Sequence, residues 1–519
     1  MPDTLNEAIP SGSSSSESRI ATSEIISGPL YPNSYDLIGA LKGRREILTA
    51  TRTITEENVL DELKKAVSVH DQNVKEINFL WDYYRGDQPI YNRVKEVRPE
   101  ICSKIVENHA DEIVSFNTGY SFGEPYVLAG RSEDDCSEEI QMLNAWNSEN
   151  DHDAKDMELG TWLNVSGTCY KIVIPVNDAE ADTTEITSPY IVSVLDPREA
   201  FVVYYNGIQK VPVMGVKVVP YKTPEGTDGV MYCVYTENSY FEFGRDEYSG
   251  QRKPARKANP LGMVPIVEYQ RNLSRRGAIE PIIPLQDALN SLASNRMDGV
   301  EQFIQSLMIF RNVDVDSKDV EKLQAMGAIK YRDTDPSSPG EVKYLVAELN
   351  QEGAQTLKDD LYESIVIISG LPSRNSGGGG TSDNVGAVIY RDGWSAAETK
   401  AKELDKYYER SEKNLLKIIL RICREVKGFN LHLSNIKIMP TRKNYENTTS
   451  KATVLTTMLG SDKIAPRLAF NACGMFTDPE AAWKESKEYY EEHRDEEQSG
   501  TDTGSRSNSE TGVSGTPSE

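Results

Sequence analysis

Cationic side chains are what this sequence is short of: 57 lysines and arginines face 81 aspartates and glutamates, a formal net charge of −24. Tight, sequence-independent binding to free duplex relies on cations that displace counterions from phosphates, so the composition excludes a basic-patch DNA binder. Cysteine is scarce as well. Cys102, Cys136, Cys169, Cys233, Cys423 and Cys473 are widely separated and contain no C-x-x-C. That spacing argues against a disulfide framework and for reduced, small apolar thiols in a cytosolic setting. Long apolar runs are also missing; Leu415–Leu420 falls far short of the ~20 residues that span a bilayer. The opening Met1-Pro-Asp-Thr-Leu-Asn-Glu has neither a basic start nor an apolar stretch. No secretory signal and no membrane association are therefore expected.

Signatures of catalysis are lacking too. Gly377–Gly380 are followed by Thr381-Ser382, without the lysine that a phosphate loop uses to reach its phosphates. A nucleotide-driven DNA motor would need that lysine and a metal-binding acid at a strand end. Asp314-Val-Asp316 begins like a calcium loop, but Asp319 and Ala325 stand where the glycine and the bidentate glutamate belong. The five histidines form no HExxH and share no spacing with the cysteines. His109, on an apolar helical face, reads as a satisfied core histidine. There is no GxSxG elbow. No catalytic residue, metal or cofactor is expected.

What the sequence does contain is organised periodicity. At 519 residues there is room for several domains. Residues 1–39, with Ser11-Gly-Ser-Ser-Ser-Ser-Glu-Ser18, and residues 496–519 are polar and expected to be disordered. Helical spacing covers 55–84 and 101–117, followed by a turn-rich Gly119–Tyr126. From 160 to 243 the period falls to two, with strands at 170–175, 190–195, 200–205, 211–219 and 230–236 separated by Asp-Pro, Asn-Gly and Glu-Gly turns. The fold class is therefore α+β with an antiparallel sheet. A basic linker, Arg252-Lys-Pro-Ala-Arg-Lys257, leads to Pro281 and Pro284, which suit a helix start. Leu285, Leu289, Leu292, Val300, Phe303, Ile304 and Leu307 then mark one helical face as far as Phe310. Residues 311–350 read as a small insert, with a short helix at 316–326 and strands at 328–332 and 341–346. Helical spacing returns at 354–369. It resumes over 387–427, where Leu404, Tyr408, Leu415, Ile419, Ile422 and Val426 repeat. A strand at 429–439 and a helical region broken at Gly460 and at Thr477-Asp-Pro479 close the pattern.

Between the last two long helices lies Ser373-Arg-Asn-Ser-Gly-Gly-Gly-Gly-Thr-Ser-Asp-Asn384. Consecutive glycines leave its backbone unrestrained. Arg374, Asn375, Ser376, Thr381, Ser382 and Asn384 offer transient phosphate contacts without base readout.

Tyr83-Tyr-Arg-Gly86, then Asn108 and Gly119-Tyr-Ser-Phe-Gly-Glu-Pro125, resemble the N-terminal signature of portal proteins from long-tailed bacteriophages infecting Gram-positive bacteria. Asn259-Pro-Leu-Gly-Met-Val-Pro-Ile-Val-Glu268 and Glu280-Pro-Ile-Ile-Pro-Leu-Gln-Asp-Ala-Leu-Asn290 are similar to that family's entry into its first stem helix. Ser369-Gly-Leu-Pro-Ser and the glycine loop leading to Val385-Gly-Ala-Val388 match its tunnel-loop region. The similarity runs collinearly from about 55 to 490; the longer polar N-terminus and the four glycines depart from it.

The resemblance implies a subunit of a ring of about twelve at one capsid vertex, passing double-stranded DNA in packaging and ejection. It implies a wing at 40–270 and 387–440, stem helices at 271–310 and 351–371, and a clip at 311–350. A tunnel loop at 372–386 and a crown at 441–495 complete the set. Asp316, Lys318, Asp319, Lys322, Arg332 and Asp333 would be the clip residues facing motor or connector. Implied partners are the terminase large subunit, major capsid and scaffolding proteins, and head-completion (adaptor) proteins, with assembly in the host cytoplasm and residence in the virion. The alternative is another capsid or connector ring component.

Overall fold

A computed structural model describes residues 42–96, 98–131, 137–176, 187–222, 228–304, 307–311, 313–314, 332–333, 341–345, 351–372, 393–442, 448–476 and 479–500. The described chain forms two compact units, one within 42–123, 146–372 and 393–429, the other within 124–145 and 430–500.

The first unit is α+β. Its six-stranded sheet runs in the order Ile47–Thr49, Ala200–Tyr205, Pro212–Lys222, Asp228–Thr236, Ser239–Phe243 and Ala255–Ala258. All neighbours are antiparallel except the first two, which are parallel. Ile266–Gln270, Thr168–Pro175 and Tyr190–Leu195 make a three-stranded antiparallel sheet. The strands expected from alternation at 168–236 are present, whereas Arg252–Lys257 is not simply a linker: Ala255–Ala258 pairs with Ser239–Phe243 and becomes the sheet's edge. Its four exposed residues carried no alternation to reveal a strand.

The helix Val59–Tyr84 joins two cores. Val59, Leu63, Ala66 and Val67, at helical spacing, are buried against Phe201, Met214, Val234 and Phe243 of the sheet. Phe79, Leu80 and Tyr83, about three turns on, are buried with Ile113, Ile282, Ile283, Leu289 and Ile365. Full burial of such a side chain contributes about 1.5–3 kcal/mol, so the helix is fixed at both ends. Two glycines close the region. Gly43 (φ +94) and Gly167 (φ +79) lie against the turn 274–276, where a Cβ would come within 1.9 Å of the Ser274 oxygen and 2.3 Å of the Arg275 oxygen respectively.

The expected helix over 101–117 starts only at His109 and continues through Phe122, absorbing much of the supposed turn. His109 is half-buried; its Nδ1 meets Glu112 Oε2 at 2.8 Å and its ring lies 4.7 Å from that of Tyr362. The helix expected to reach Phe310 ends at Ile304, and Leu307–Arg311 is a strand paired with Glu341–Leu345. A second ladder joins Val313–Asp314 to Arg332–Asp333. The return helix spans Gln351–Ser369. The described long helix is Trp394–Lys427, 34 residues, about 50 Å at 1.5 Å per residue. Its buried face repeats Ala397, Ala401, Leu404, Tyr408, Leu415, Ile419 and Ile422; Val426, expected on that face, is 59% exposed.

In the second unit Tyr126–Gly130 pairs antiparallel with Ile436–Pro440. Asn144 holds the Leu128 backbone by both its amide groups, at 3.1 and 2.8 Å. Helices Thr448–Leu459, Pro466–Cys473 and Pro479–Gly500 follow, with Phe470 ringed by Phe476 and Trp483. The strand expected over 429–439 is confined to Ile436–Pro440 because a 3-10 turn occupies Leu433–Asn435.

Candidate functional site

The helix Ile283–Ile304 carries four buried polar residues at intervals of four: Gln286, Asn290, Ser294 and Asp298. They meet the non-helical strap 101–108. The Ser103 amide donates to Asp298 Oδ1 at 2.7 Å, the Ile105 amide to Ser294 Oγ at 3.0 Å, and the Glu107 amide to Asn290 Oδ1 at 2.9 Å. Gln286 Nε2 donates to the Glu107 oxygen. Four helical residues rise about 6.0 Å, and two residues of extended chain advance about 6.6 Å. The pitches match closely enough for alternate amides of the strap to find successive side chains of the helix. This is why 101–108 is not helical: the amides of Ser103, Ile105 and Glu107 are already satisfied from outside.

Charge closes the far end of the ladder. Arg93 reaches Asp298 Oδ2 at 3.0 Å and Lys95 pairs with the same oxygen. Burial would raise the Asp298 carboxyl, but Lys95, the Ser103 amide and Arg93 outweigh it and lower it. Asp287 is treated differently. Burial pushes it up to about 7, and the hydrogen bond from the Tyr83 hydroxyl at 2.9 Å offsets this only in part. The return helix is tied to the same strap by Lys358–Glu107 at 2.7 Å and to the first helix by Arg296–Gln355 at 2.9 Å. Gly370 (φ +72) ends the return helix, and Lys400 of the long helix caps the Ile368 oxygen. Both flanks of the glycine loop are thus anchored.

Deeper in the unit, four ionisable groups form a closed quartet. Lys171 Nζ lies 3.7 Å from Glu412 Oε2 as well as against Asp156; His152 Nδ1 is 3.2 Å from Asp156 Oδ2 and its Nε2 is 3.5 Å from Glu412 Oε1. Tyr408 donates to Asp156 at 2.7 Å and Tyr269 to Glu412 at 2.5 Å. With two carboxylates, a lysine and a charged histidine the quartet is neutral. Burial and the Lys171 charge both push His152 down, yet Asp156 and Glu412 hold it up at about 9. Burial likewise disfavours the charged forms of Lys171 and Asp156, and their mutual attraction prevails, raising one and lowering the other. A lysine held protonated is neither base nor nucleophile. Burial raises the nearby Cys169 thiol, which leaves it unreactive. The quartet locks the long helix, the helix His152–Ser166 and the three-stranded sheet together.

Of the residues singled out in the sequence, Arg374, Asn375, Ser376, Thr381, Ser382 and Asn384 lie outside the described residues, as do Asp316, Lys318, Asp319 and Lys322. Arg332 and Asp333 form the short strand opposite Asp314 and Val313. Sequence reasoning missed the ladder and the quartet. The signals were there: a polar residue every fourth position through an apolar helix, and Lys171 inside the apolar strand Tyr170–Ile174. Among the described residues no group of His, Cys, Asp and Glu is arranged to hold a metal, and no helix is long and apolar enough to cross a membrane.

Comparison with known proteins gives these elements a context. The family model described as "Phage portal protein, SPP1 Gp6-like" matches residues 63–499. A portal protein of Bacillus phage SPP1 is 23% identical over 297 residues, 53% of this chain and 55% of the relative, so the match takes in about half the relative's length. Among solved structures, the neck of an empty GTA particle computed with C6 symmetry is 11% identical, covering 71% of this chain and 90% of that one at a TM-score of 0.40. The neck of a native GTA particle computed with C12 symmetry is 12% identical, with 71% and 89% covered at 0.37. With the family model spanning most of its length, the chain belongs to the phage portal proteins of the SPP1 Gp6-like family.

Proposed function

We propose that the chain is one subunit of a ring of about twelve at a single capsid vertex, through which double-stranded DNA enters during packaging and leaves during ejection. Family membership over 63–499 is the observation that carries this reading. The wing is assigned to 40–270 and 387–440, the stem helices to 271–310 and 351–371, the clip to 311–350, the tunnel loop to 372–386 and the crown to 441–495. Two long helices flanking a small β module suit a stem that presents a clip. Terminase would dock there during packaging and head-completion proteins afterwards, with capsid and scaffolding proteins against the outside. The role is structural, not catalytic.

The charge supports a channel. DNA carries one charge per ≈ 1.7 Å of axis, so weak adhesion at many points would stall it. A ring multiplies the −24 of each subunit and holds a duplex off its walls. The loop residues Arg374, Asn375, Ser376, Thr381, Ser382 and Asn384 then supply transient phosphate contacts, gripping or valving DNA while ATP is hydrolysed elsewhere. Electron microscopy of the purified protein tests the ring: particles with a central hole are expected, and solid or solitary particles under virion-like conditions would overturn it. Deleting Ser376–Gly380 tests the valve, which is lost if the packaged genome keeps its length.

A further inference from the structure

The strand Ala255–Ala258 ends the six-stranded sheet, and among the described residues no strand pairs with its outer side. An uncovered edge presents free amides and carbonyls to any extended chain. This edge is also basic: Arg256 and Lys257 lie on it, and Arg252 and Lys253 just precede it. Their side chains are 56% to 91% exposed, and the nearest carboxylates, on Glu56, Glu242 and Glu247, stand 3.5 to 3.9 Å away. Such contacts between solvated groups hold the cations only loosely. Beside the strand opens a cavity of about 370 Å³ lined by Ile174, Tyr235, Tyr240, Lys257, Pro260 and Pro265.

An occupant suited to all three features has extended backbone, carboxylates and an aliphatic side chain. DNA has the charge but neither the strand nor the side chain. Of the chain beyond the described residues, 501–519 holds a single large apolar residue, Val513. Residues 1–41 carry Asp3, Glu7, Glu17, Glu24 and Asp36 against Arg19 alone, with Ile25-Ile26 directly after Glu24 and Leu37-Ile38 directly after Asp36. Lys42 leads into Ile47–Thr49, the opposite edge of the same sheet. Five strand spacings make that sheet about 24 Å wide, and the sixteen residues back to Ile26 reach about 50 Å when extended.

We propose that the segment 23–27 adds as a strand to the edge Ala255–Ala258. Glu24 meets the cations of Arg256 and Lys257, and one of Ile25 and Ile26 fills the cavity. The segment comes from the same subunit or a neighbouring copy, and the docking does not depend on the channel reading above.

Hydrogen–deuterium exchange on the full chain tests this against a variant lacking 1–38 and against R256E/K257E, both changed only at exposed or undescribed positions. Amides of 255–258 are expected to exchange about tenfold more slowly in the full chain than in either variant, and amides of 24–27 more slowly in the full chain than in R256E/K257E. Adding E24K to R256E/K257E is expected to restore much of the protection. Mixing isotope-labelled and unlabelled chains before cross-linking assigns the segment to its own or another subunit, and either assignment supports the proposal. Equal exchange at 255–258 with and without residues 1–38 would overturn it. So would protection that appears only on adding a DNA duplex.

Discussion

Lys171 Nζ lies 2.5 Å from Asp156 Oδ1, with side chains 0% and 3% exposed. Two fully desolvated charges are costly unless each is matched, and here Glu412 and His152 complete the match. The pair joins a strand to a helix, and through Glu412 it seats the long helix as well.

Removing one member should therefore hurt far more than any surface change. Lys171→Met leaves the two buried carboxylates of Asp156 and Glu412 against the single charge of His152. The expected loss is about 3–5 kcal/mol, read as a lower urea midpoint with an unchanged slope. K171M/D156L, which leaves Glu412 balanced by the charged His152, should recover much of it.

The histidine gives the quartet a pH signature. His152 is held at about 9 when folded, above its ordinary 6.5, so its contribution is complete below pH 6.5 and is lost as pH rises through about 9. His152→Gln should flatten the decline in unfolding midpoint across that window relative to the unaltered protein. His70 runs the other way. Burial lowers it to about 4, against the weaker pull of the Arg198 carbonyl, so its contribution is present above pH 6.5 and is lost as pH falls through about 4. His70→Gln should lessen that acid-side loss; parallel midpoint curves would refute either assignment.

Asp287 should behave as a buried neutral acid. Its folded value, pushed up to about 7 by burial, means that stability falls as pH rises from 3.8 to about 7. Asp287→Asn is expected to match or exceed the unaltered protein at pH 8 and to show a smaller difference at pH 5. Chemical denaturation at the two pH values checks this.

The strap ladder predicts selective loosening. Ser294→Ala strands the Ile105 amide and Asn290→Ala the Glu107 amide, each costing about 1–3 kcal/mol. Hydrogen exchange should accelerate at Ile105 in the first variant and at Glu107 in the second before it does so at Val203 in the sheet. Uniform acceleration everywhere would mean that the ladder has no independent role.

Much of the architecture was legible in order along the chain. Strands between 168 and 236 declared themselves by alternation, and Leu404, Tyr408, Leu415, Ile419 and Ile422 announced a helical face that is indeed buried. Boundaries were less legible. Leu307–Phe310 continue an apolar helical spacing yet form a strand, because Glu341–Leu345 offers a ladder partner that no local pattern reveals. Ile101–Asn108 read as helix until side chains from 180 to 200 residues away took its amides.

The sequence alone determined the class of the fold, the strong negative charge, the absence of phosphate-loop and zinc signatures, and the family likeness, because composition and spacing are properties of neighbours along the chain. Tertiary structure decided which polar residues would be buried together. Asp156, His152 and Glu412 are ordinary where each stands, and Lys171 stands out only as a lysine within an apolar strand. Only folding brings them within 4 Å of one another, out of water, where a charge must find its opposite.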